Sequence, residues 1–470
     1  MNEKIDSAGM DSFRSWILQQ ASSDYTIEQV SADEIRLKTE HAEARIQLYP
    51  EMQIVEFSIF SLARQENVFY LHFQLEDEKR AHELFAEMTD SLRALPKRER
   101  IRVLLCCTSG LTTSFFGEQL KEAAEVLHLD MEFRAVPLAQ LYESGFDHDV
   151  ILLAPQVGHV YEKVNAIFHQ QIVLKIPTRI FASYDTGGML RMIQEQIEEH
   201  RSREVSPSAS AQLLAEHSSG SYLLISIRIM DRVSIHYRLY DSGRIRIDET
   251  FLRYGHTIKL EDLEDIIKTV LSRGMTPDEI GISTPGNVSG GHIFLNLIFY
   301  KGPDIDIEEY LKRKYGIPTV ILNNMNAAAL GLYYRQEKYQ DLVLVYQPPR
   351  HAFGGAGVIL GGKLLVGRNG IAGETKYMAQ SLSMDIRRQV LSPEGMLELI
   401  ARMIAGIQGI VGPQAVFLSS AMTPDMDEVR KALLEYLPQE EIPDLVRIDD
   451  LTEPIFYGLL LHLLNQKESK

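Results

Sequence analysis

Two adjacent thiols, Cys106 and Cys107, close an apolar run, IRVLLCC, that reads as a β-strand. The next seven residues, TSGLTTS, lead directly into the helical pattern FFGEQLKEAAEVLHL. A strand, a small-residue loop and a helix N-terminus together make a cradle for phosphate. Gly110 lets the backbone approach closely, and the loop N–H groups and the helix dipole supply positive potential. The backbone of Leu111 belongs to the same cradle. Thr108, Ser109, Thr112, Thr113 and Ser114 add hydroxyl donors. The same field favours a thiolate, lowering a cysteine from its usual value of about 8.5. A thiolate in a phosphate cradle is a phosphoryl acceptor. Alternation along a strand sends the two side chains to opposite faces, which puts Cys107 in the cradle and Cys106 in the core. From residue types alone, a pair of small core hydrophobes remains an equal alternative. Adjacent cysteines rarely pair, because the disulfide would be strained. With no other cysteine in the chain, a disulfide framework is excluded and a reducing, cytoplasmic setting is expected.

The elements around this loop alternate strand and helix from about residue 100 to 201, which predicts βαβ units and a parallel sheet. IRVLLC, MEFRAV, DVILLAP and TRIFAS are the expected strands. Sites in such sheets form at the carboxyl ends of strands. Residues 1–96 read as a small α+β domain, with a helix near Asp11–Gln20, four strands and an amphipathic helix. It carries 9 Lys+Arg against 18 Asp+Glu, the wrong balance for a DNA reader, so an adaptor or dimerisation role is expected. LPKRER and SREVSPSASAQ read as linkers. A third domain, 220–470, again alternates strands and helices.

The net charge of −17 disfavours nucleic acid and anionic membrane as partners. No apolar run reaches the ~20 residues of a membrane span, and the N-terminus lacks an apolar signal core.

VLLCCTSGLTTS resembles the signature of the enzyme IIB domain of the bacterial sugar phosphotransferase system, lactose/cellobiose class. There, Cys is followed by a small residue, Ala, Gly, Met, Ser, Thr, Ser; Ser109 stands for the Ala and Leu111 for the Met. The family's Gly-Pro-Gln after the third strand is Ala154-Pro155-Gln156. The resemblance implies a flavodoxin-like doubly wound sheet and a phosphorylated Cys107. It also implies a phosphorylated enzyme IIA-type partner and, downstream, a membrane enzyme IIC.

The third domain resembles the ROK family of sugar kinases and repressors, which has a two-lobed actin-like ATPase (ribonuclease H-like) fold. The resemblance rests on EIGISTPGNVSGG, VILNNMNAAALG and GGAGVILGGKLLVGRNGIAGE. It implies a sugar or sugar phosphate near Asn296, Asn323, Asn324 and Glu374; loop capping by Asn and Glu is the plainer reading of these residues. The departures are systematic. The first hairpin, ISIRIMDRVSI, lacks the glycines of the first phosphate motif. Asn324 replaces the Asp that serves as general base. His351-Ala352-Phe353 replaces Gly-Thr-Gly in the second phosphate motif, and Ser419-Ser420-Ala421 replaces the glycines near adenine. Tyr377 replaces a His, and the cysteines of the family's zinc motif are missing. An amide has no basic lone pair at neutral pH, so a kinase-like fold without kinase activity is expected, with no metal and no cofactor. The leading expectation is a cytoplasmic regulator that couples a phosphocysteine to a sugar-sensing domain and assembles with copies of itself. The rivals are a working sugar kinase fused to its transport module and a transcriptional regulator.

Overall fold

The computed structural model of the chain describes residues 7–62, 65–98, 100–109, 111–203, 220–229, 232–255, 257–294, 305–352, 354–382 and 385–468. Helix Ser7–Leu18 opens the chain. Strands β1 (Thr26–Gln29), β2 (Glu34–Lys38), β3 (Ala42–Tyr49), β4 (Ile54–Ser61) and β5 (Glu66–Gln74) follow, then helix Glu78–Arg98. In β3, Ala42, Ala44, Ile46 and Leu48 are buried in alternation, the pattern of a strand with one face on the core. The LPKR expected in a linker is the last turn of helix Glu78–Arg98. The apolar stripe Leu84, Met88, Leu92, Leu95 stays buried to its end and carries the helix past the expected boundary.

The next stretch holds β6 (Ile101–Cys107), helix Leu111–Val126, β7 (Met131–Pro137), β8 (Val150–Leu153), helix Tyr161–Ile167 and β9 (Ile172–Lys175). Helices Thr178–Ser183 and Thr186–Arg203 end it. TRIFAS, expected as a strand, is the helix Thr178–Ser183; the fourth strand is the IVLK before it. Pro177 stands between them. Its missing N–H ends the ladder, and its fixed φ, here −58°, suits the residue that leads into a helix. Most of the Ser-rich linker lies outside the described residues.

The remaining strands are β10 (Ser221–Ile229), β11 (Arg232–Asp241), β12 (Arg244–Tyr254), β13 (Glu279–Thr284), β14 (Asn287–Ser289), β15 (His292–Phe294) and β16 (Thr319–Asn323). After helix Asn324–Tyr334 come β17 (Leu342–Tyr346), β18 (Gly355–Leu360), β19 (Lys363–Leu364), β20 (Ala415–Ser419) and β21 (Asp444–Arg447).

The chain divides into two compact units. One comprises residues 1–99, 210–324 and 462–470. Its sheet has ten strands in the order β1-β2-β3-β4-β5-β12-β11-β10-β13-β16. The N-terminal meander therefore extends the sheet of 210–324, with Tyr70 of β5 opposite Leu252 of β12. Phe57, Phe69 and Leu71 share a core with Ile235, Phe251 and Ile266. Arg80 pairs with Asp265, and Arg253 bonds Asp262 at 2.7 Å. The other unit comprises residues 100–209 and 325–461. It holds a parallel four-stranded sheet, β7-β6-β8-β9, and a five-stranded sheet, β19-β18-β17-β20-β21, over one set of buried side chains. Helices Asn324–Tyr334 and Thr452–Glu468 cross at glycine: a Cβ on Gly458 would lie 1.8 Å from the Ala327 carbonyl oxygen, and one on Gly331 would lie 1.9 Å from that of Pro454.

His72 of β5 is buried beside the rings of Tyr70, Tyr237 and Phe251, and among the described residues neither of its ring nitrogens has a hydrogen-bond partner. Burial holds it neutral, down to about 4, against the small opposing pull of Glu249. The unfolded chain takes up this proton near 6.5 and the folded chain only near 4, so stability is lost as pH falls through that window. The expected loss is about 3 kcal/mol. Denaturant titrations of wild type and His72→Phe at pH 7 and pH 4.5 should diverge by most of this amount, and parallel pH profiles would refute it.

Candidate functional site

β6 is an inner strand of the parallel sheet, with β7 on one side and β8 on the other. Its last residue, Cys107, stands opposite Pro137, and Cys106 stands opposite Leu153. The backbone beyond β8 closes against β6, with Ala154 N–H donating to the Cys106 carbonyl at 2.9 Å. Pro155 then starts a tight turn, Pro155–Val160, so Ala154-Pro155-Gln156 lies at the same carboxyl edge as Cys107.

Helix Leu111–Val126 begins four residues after Cys107. Its buried residues Phe116, Leu120 and Ala124 recur every four positions and pin it to the sheet. Thr113, in the first turn, is fully buried and its hydroxyl donates to the Cys107 sulfur at 3.2 Å. Thr108, Ser109 and Ser114 are exposed around it. Gly110 lies outside the described residues, and the side chains of Leu111 and Thr112 are likewise not described. Cys107 is 3% exposed and Cys106 is fully buried. Burial, reinforced by the neighbouring Cys107, pushes the Cys106 thiol up to about 12, out of reach of ionisation at neutral pH. Two exposed aromatics flank this edge: Phe115, after Ser114, meets the ring of Tyr184 edge-on at 5.3 Å.

Asn323 and Asn324 sit where β16 runs into helix Asn324–Tyr334. The Asn323 amide donates to the Gly286 carbonyl at 2.8 Å. The Asn324 amide is used at both ends. Its Nδ2 donates to the Ile227 carbonyl at 3.0 Å, and its Oδ1 accepts from the Ser283 hydroxyl at 2.5 Å. Asn324 thus ties β10 and β13 to the end of β16. In the other unit, Glu374 pairs with Lys376 at 2.8 Å and is 16% exposed. It follows Gly373, whose φ of +86° and 2.0 Å clearance to the Ala356 carbonyl admit no side chain. Asn296 and Phe353 lie outside the described residues. His351 ends a loop closed by the Gln347 amide, which donates to the His351 carbonyl at 2.6 Å. Tyr377 is exposed and Ser419 buried.

Among the described residues, no cluster of His, Cys, Asp and Glu could hold a metal ion, and no helix is long and apolar enough to cross a membrane. Reading the sequence missed one polar contact of this unit, Arg350. It is an ordinary cation in a loop, with no motif to mark it.

Comparison with known proteins places two families on this chain. Residues 102–184 match the lactose/cellobiose-specific IIB subunit of the phosphotransferase system, and residues 240–380 match the ROK family. Among solved structures, a ROK family protein from Streptococcus pneumoniae in complex with sucrose is 17% identical, with a TM-score of 0.41; the match covers 53% of this chain and 100% of that one. The ROK hexokinase from Thermus thermophilus is 18% identical with a TM-score of 0.40, over 52% of this chain and 99% of that one. A ROK family transcriptional regulator, a homologue of the E. coli MLC protein, is 16% identical with a TM-score of 0.39, over 52% and 81%.

Proposed function

We propose that this chain, a fusion of a lactose/cellobiose-type IIB segment with a ROK segment, accepts a phosphoryl group on Cys107 and couples that state to a ROK domain that senses sugar without using ATP. The observation that carries the reading is the Thr113 hydroxyl on the Cys107 sulfur, at the carboxyl end of an inner parallel strand and the start of a helix. A hydroxyl donor and a helix N-terminus both stabilise the thiolate and, after transfer, the phosphoryl oxygens. The donor would be a phosphohistidine on an enzyme IIA-type partner. The thiolate attacks phosphorus, the P–N bond breaks as the S–P bond forms, and the proton given up by the thiol ends on the departing imidazole. The exposed Phe115–Tyr184 pair offers that partner an apolar contact beside the thiol. Whether the phosphoryl group then passes to a sugar on a membrane enzyme IIC is a second step of the same chemistry. The test is a relay from phosphoenolpyruvate through the general phosphotransferase proteins and a matching IIA-type protein, with the labelled residue read by mass spectrometry under conditions that preserve thiophosphate esters.

Sugar sensing is supported by the ROK match; Asn323 and Glu374 already have partners in Gly286 and Lys376, so the sugar contacts are left to the binding test. Phosphorylation adds about two negative charges. If it changes sugar affinity, sugar must change the phosphorylation equilibrium by the same factor, with a typical coupling of about 1–3 kcal/mol. Calorimetry with a panel of hexoses and β-linked disaccharides, on protein with and without phosphorylated Cys107, is expected to show affinities differing about fivefold or more. Equal affinities would end the coupling, and no binding at all would end the sensor.

A further inference from the structure

In open α/β sheets, ligands bind outside the carboxyl ends of the strands. β17, β20 and β21 are parallel neighbours in the ROK half of the second unit, and their carboxyl ends carry the loops after Tyr346 and after Ser419. These are the loops that the ROK resemblance assigns to phosphate and adenine. In this chain the IIB-like segment meets the first of these loops and faces the second across a cleft. Arg350, in the first loop, makes a two-pronged ion pair with Asp147: Nη1 donates to Oδ2 at 2.5 Å and Nη2 to Oδ1 at 2.6 Å. Nη1 also donates to the Glu143 carbonyl at 3.0 Å. Two parallel N–H···O bonds on one carboxylate fix direction as well as distance.

Both ends of the clamp are prepared. Arg350 holds a φ of +61°, a conformation uncommon outside glycine, in the loop that Gln347 closes on His351. Asp147 sits on the turn Gly145–Asp147. That turn is backed by Phe168: the Phe146 ring lies 4.6 Å from it, and a Cβ on Gly145 would lie 2.5 Å from it. A second tie joins Lys163 to Glu394 at 3.0 Å. Beside that tie runs a cleft of about 610 Å³ whose walls include Glu162 and Lys163 on one side and Met422, Pro424 and Asp425 of the second loop on the other.

We propose that the carboxyl edge of this sheet is a docking surface for the chain's own IIB-like domain, anchored by Arg350 on Asp147, and that it is no longer a nucleotide site. The phosphocysteine domain is then a fixed part of one ROK lobe rather than a tethered shuttle. The claim rests on this geometry and stands whether or not Cys107 carries phosphate.

Hydrogen exchange on the full chain tests it. Arg350→Asp should speed exchange about tenfold or more in both partners of the contact, residues 141–147 and 161–167 on one side and 420–426 on the other. Adding Asp147→Arg should restore the pair with its charges swapped and return exchange to the wild-type rate. Unchanged exchange in Arg350→Asp would overturn the anchor, and so would a double variant no better than the single one. Millimolar Mg-ATP should leave residues 347–352 and 420–426 of the wild type unaltered; protection there would show that the edge still takes nucleotide and would overturn the assignment. Cys107 phosphorylation, read by mass spectrometry on the same samples, separates failure of the relay from failure of the docking.

Discussion

Cys107→Ser abolishes phosphoryl transfer into the chain, and Cys106→Ala leaves it intact per folded molecule. That is the expected result of a relay experiment: both thiols are buried, but the Thr113 hydroxyl and the start of helix Leu111–Val126 are at the Cys107 sulfur. A serine hydroxyl at position 107 stays protonated at neutral pH, so the nucleophile is lost and labelling should fall to background. Cys106 points to the other face, is fully buried, and holds its proton up to about 12. Thr113→Val keeps the shape of the first helical turn and removes the hydroxyl that reaches the sulfur at 3.2 Å. A hydrogen bond to a charged group is worth about 1.5–3 kcal/mol, so transfer should slow by roughly 10–100-fold. Thr113→Ser should recover most of the rate. Full labelling of Cys107→Ser, or label on Cys106, would sink the assignment of the carrier. A Thr113→Val variant as fast as wild type would show that the hydroxyl serves the fold alone.

Much of the IIB-like parallel-sheet module is legible in the sequence, because each level of the chain agrees with the next. VLLC, after Arg102, has the continuous apolar character of an inner parallel strand, and the loop behind it is rich in small residues. The helix after it repeats Phe116, Leu120 and Ala124 on one face. Strand alternation assigns Cys106 to the core, and burial alone does not separate the two thiols, since Cys107 is also buried. The reading failed where local pattern was ambiguous. TRIFAS has strand-like composition, and only its place after Pro177 marks it as a helix. LPKRER has linker composition, yet the stripe ending at Leu95 holds its first four residues in a helix. The extension of the ROK-half sheet by β1–β5 was not legible at all, since which edges pair is a property of two distant segments. Arg350 was missed for the same reason. Nothing local distinguishes a cation that will meet Asp147, 203 positions away in sequence.

Asn324→Asp restores the carboxylate that a ROK kinase needs, and the expected outcome is still no turnover of sugar with Mg-ATP. His351-Ala352-Phe353 and Ser419-Ser420-Ala421, at the positions the ROK resemblance assigns to phosphate and adenine, remain without the glycines through which a backbone approaches phosphate. The substitution should also weaken the fold. The Asn324 amide donates to the Ile227 carbonyl at 3.0 Å while its oxygen accepts from Ser283 at 2.5 Å. A carboxylate keeps the acceptor and loses the donor. It turns a negative oxygen toward the Ile227 carbonyl, leaving that oxygen without its partner. The cost of such an unmade bond is about 1–3 kcal/mol. The sign of its pH dependence distinguishes this account from a generic loss of packing. Only the protonated acid can donate, so the deficit relative to wild type should be largest at neutral pH and should shrink as pH falls toward the carboxylate range near ~4. Denaturant unfolding at pH 7 and pH 4.5 would show it. Sugar phosphate formed by Asn324→Asp well above background would refute the claim that the nucleotide side is spent, and a deficit independent of pH would refute the role given to the amide.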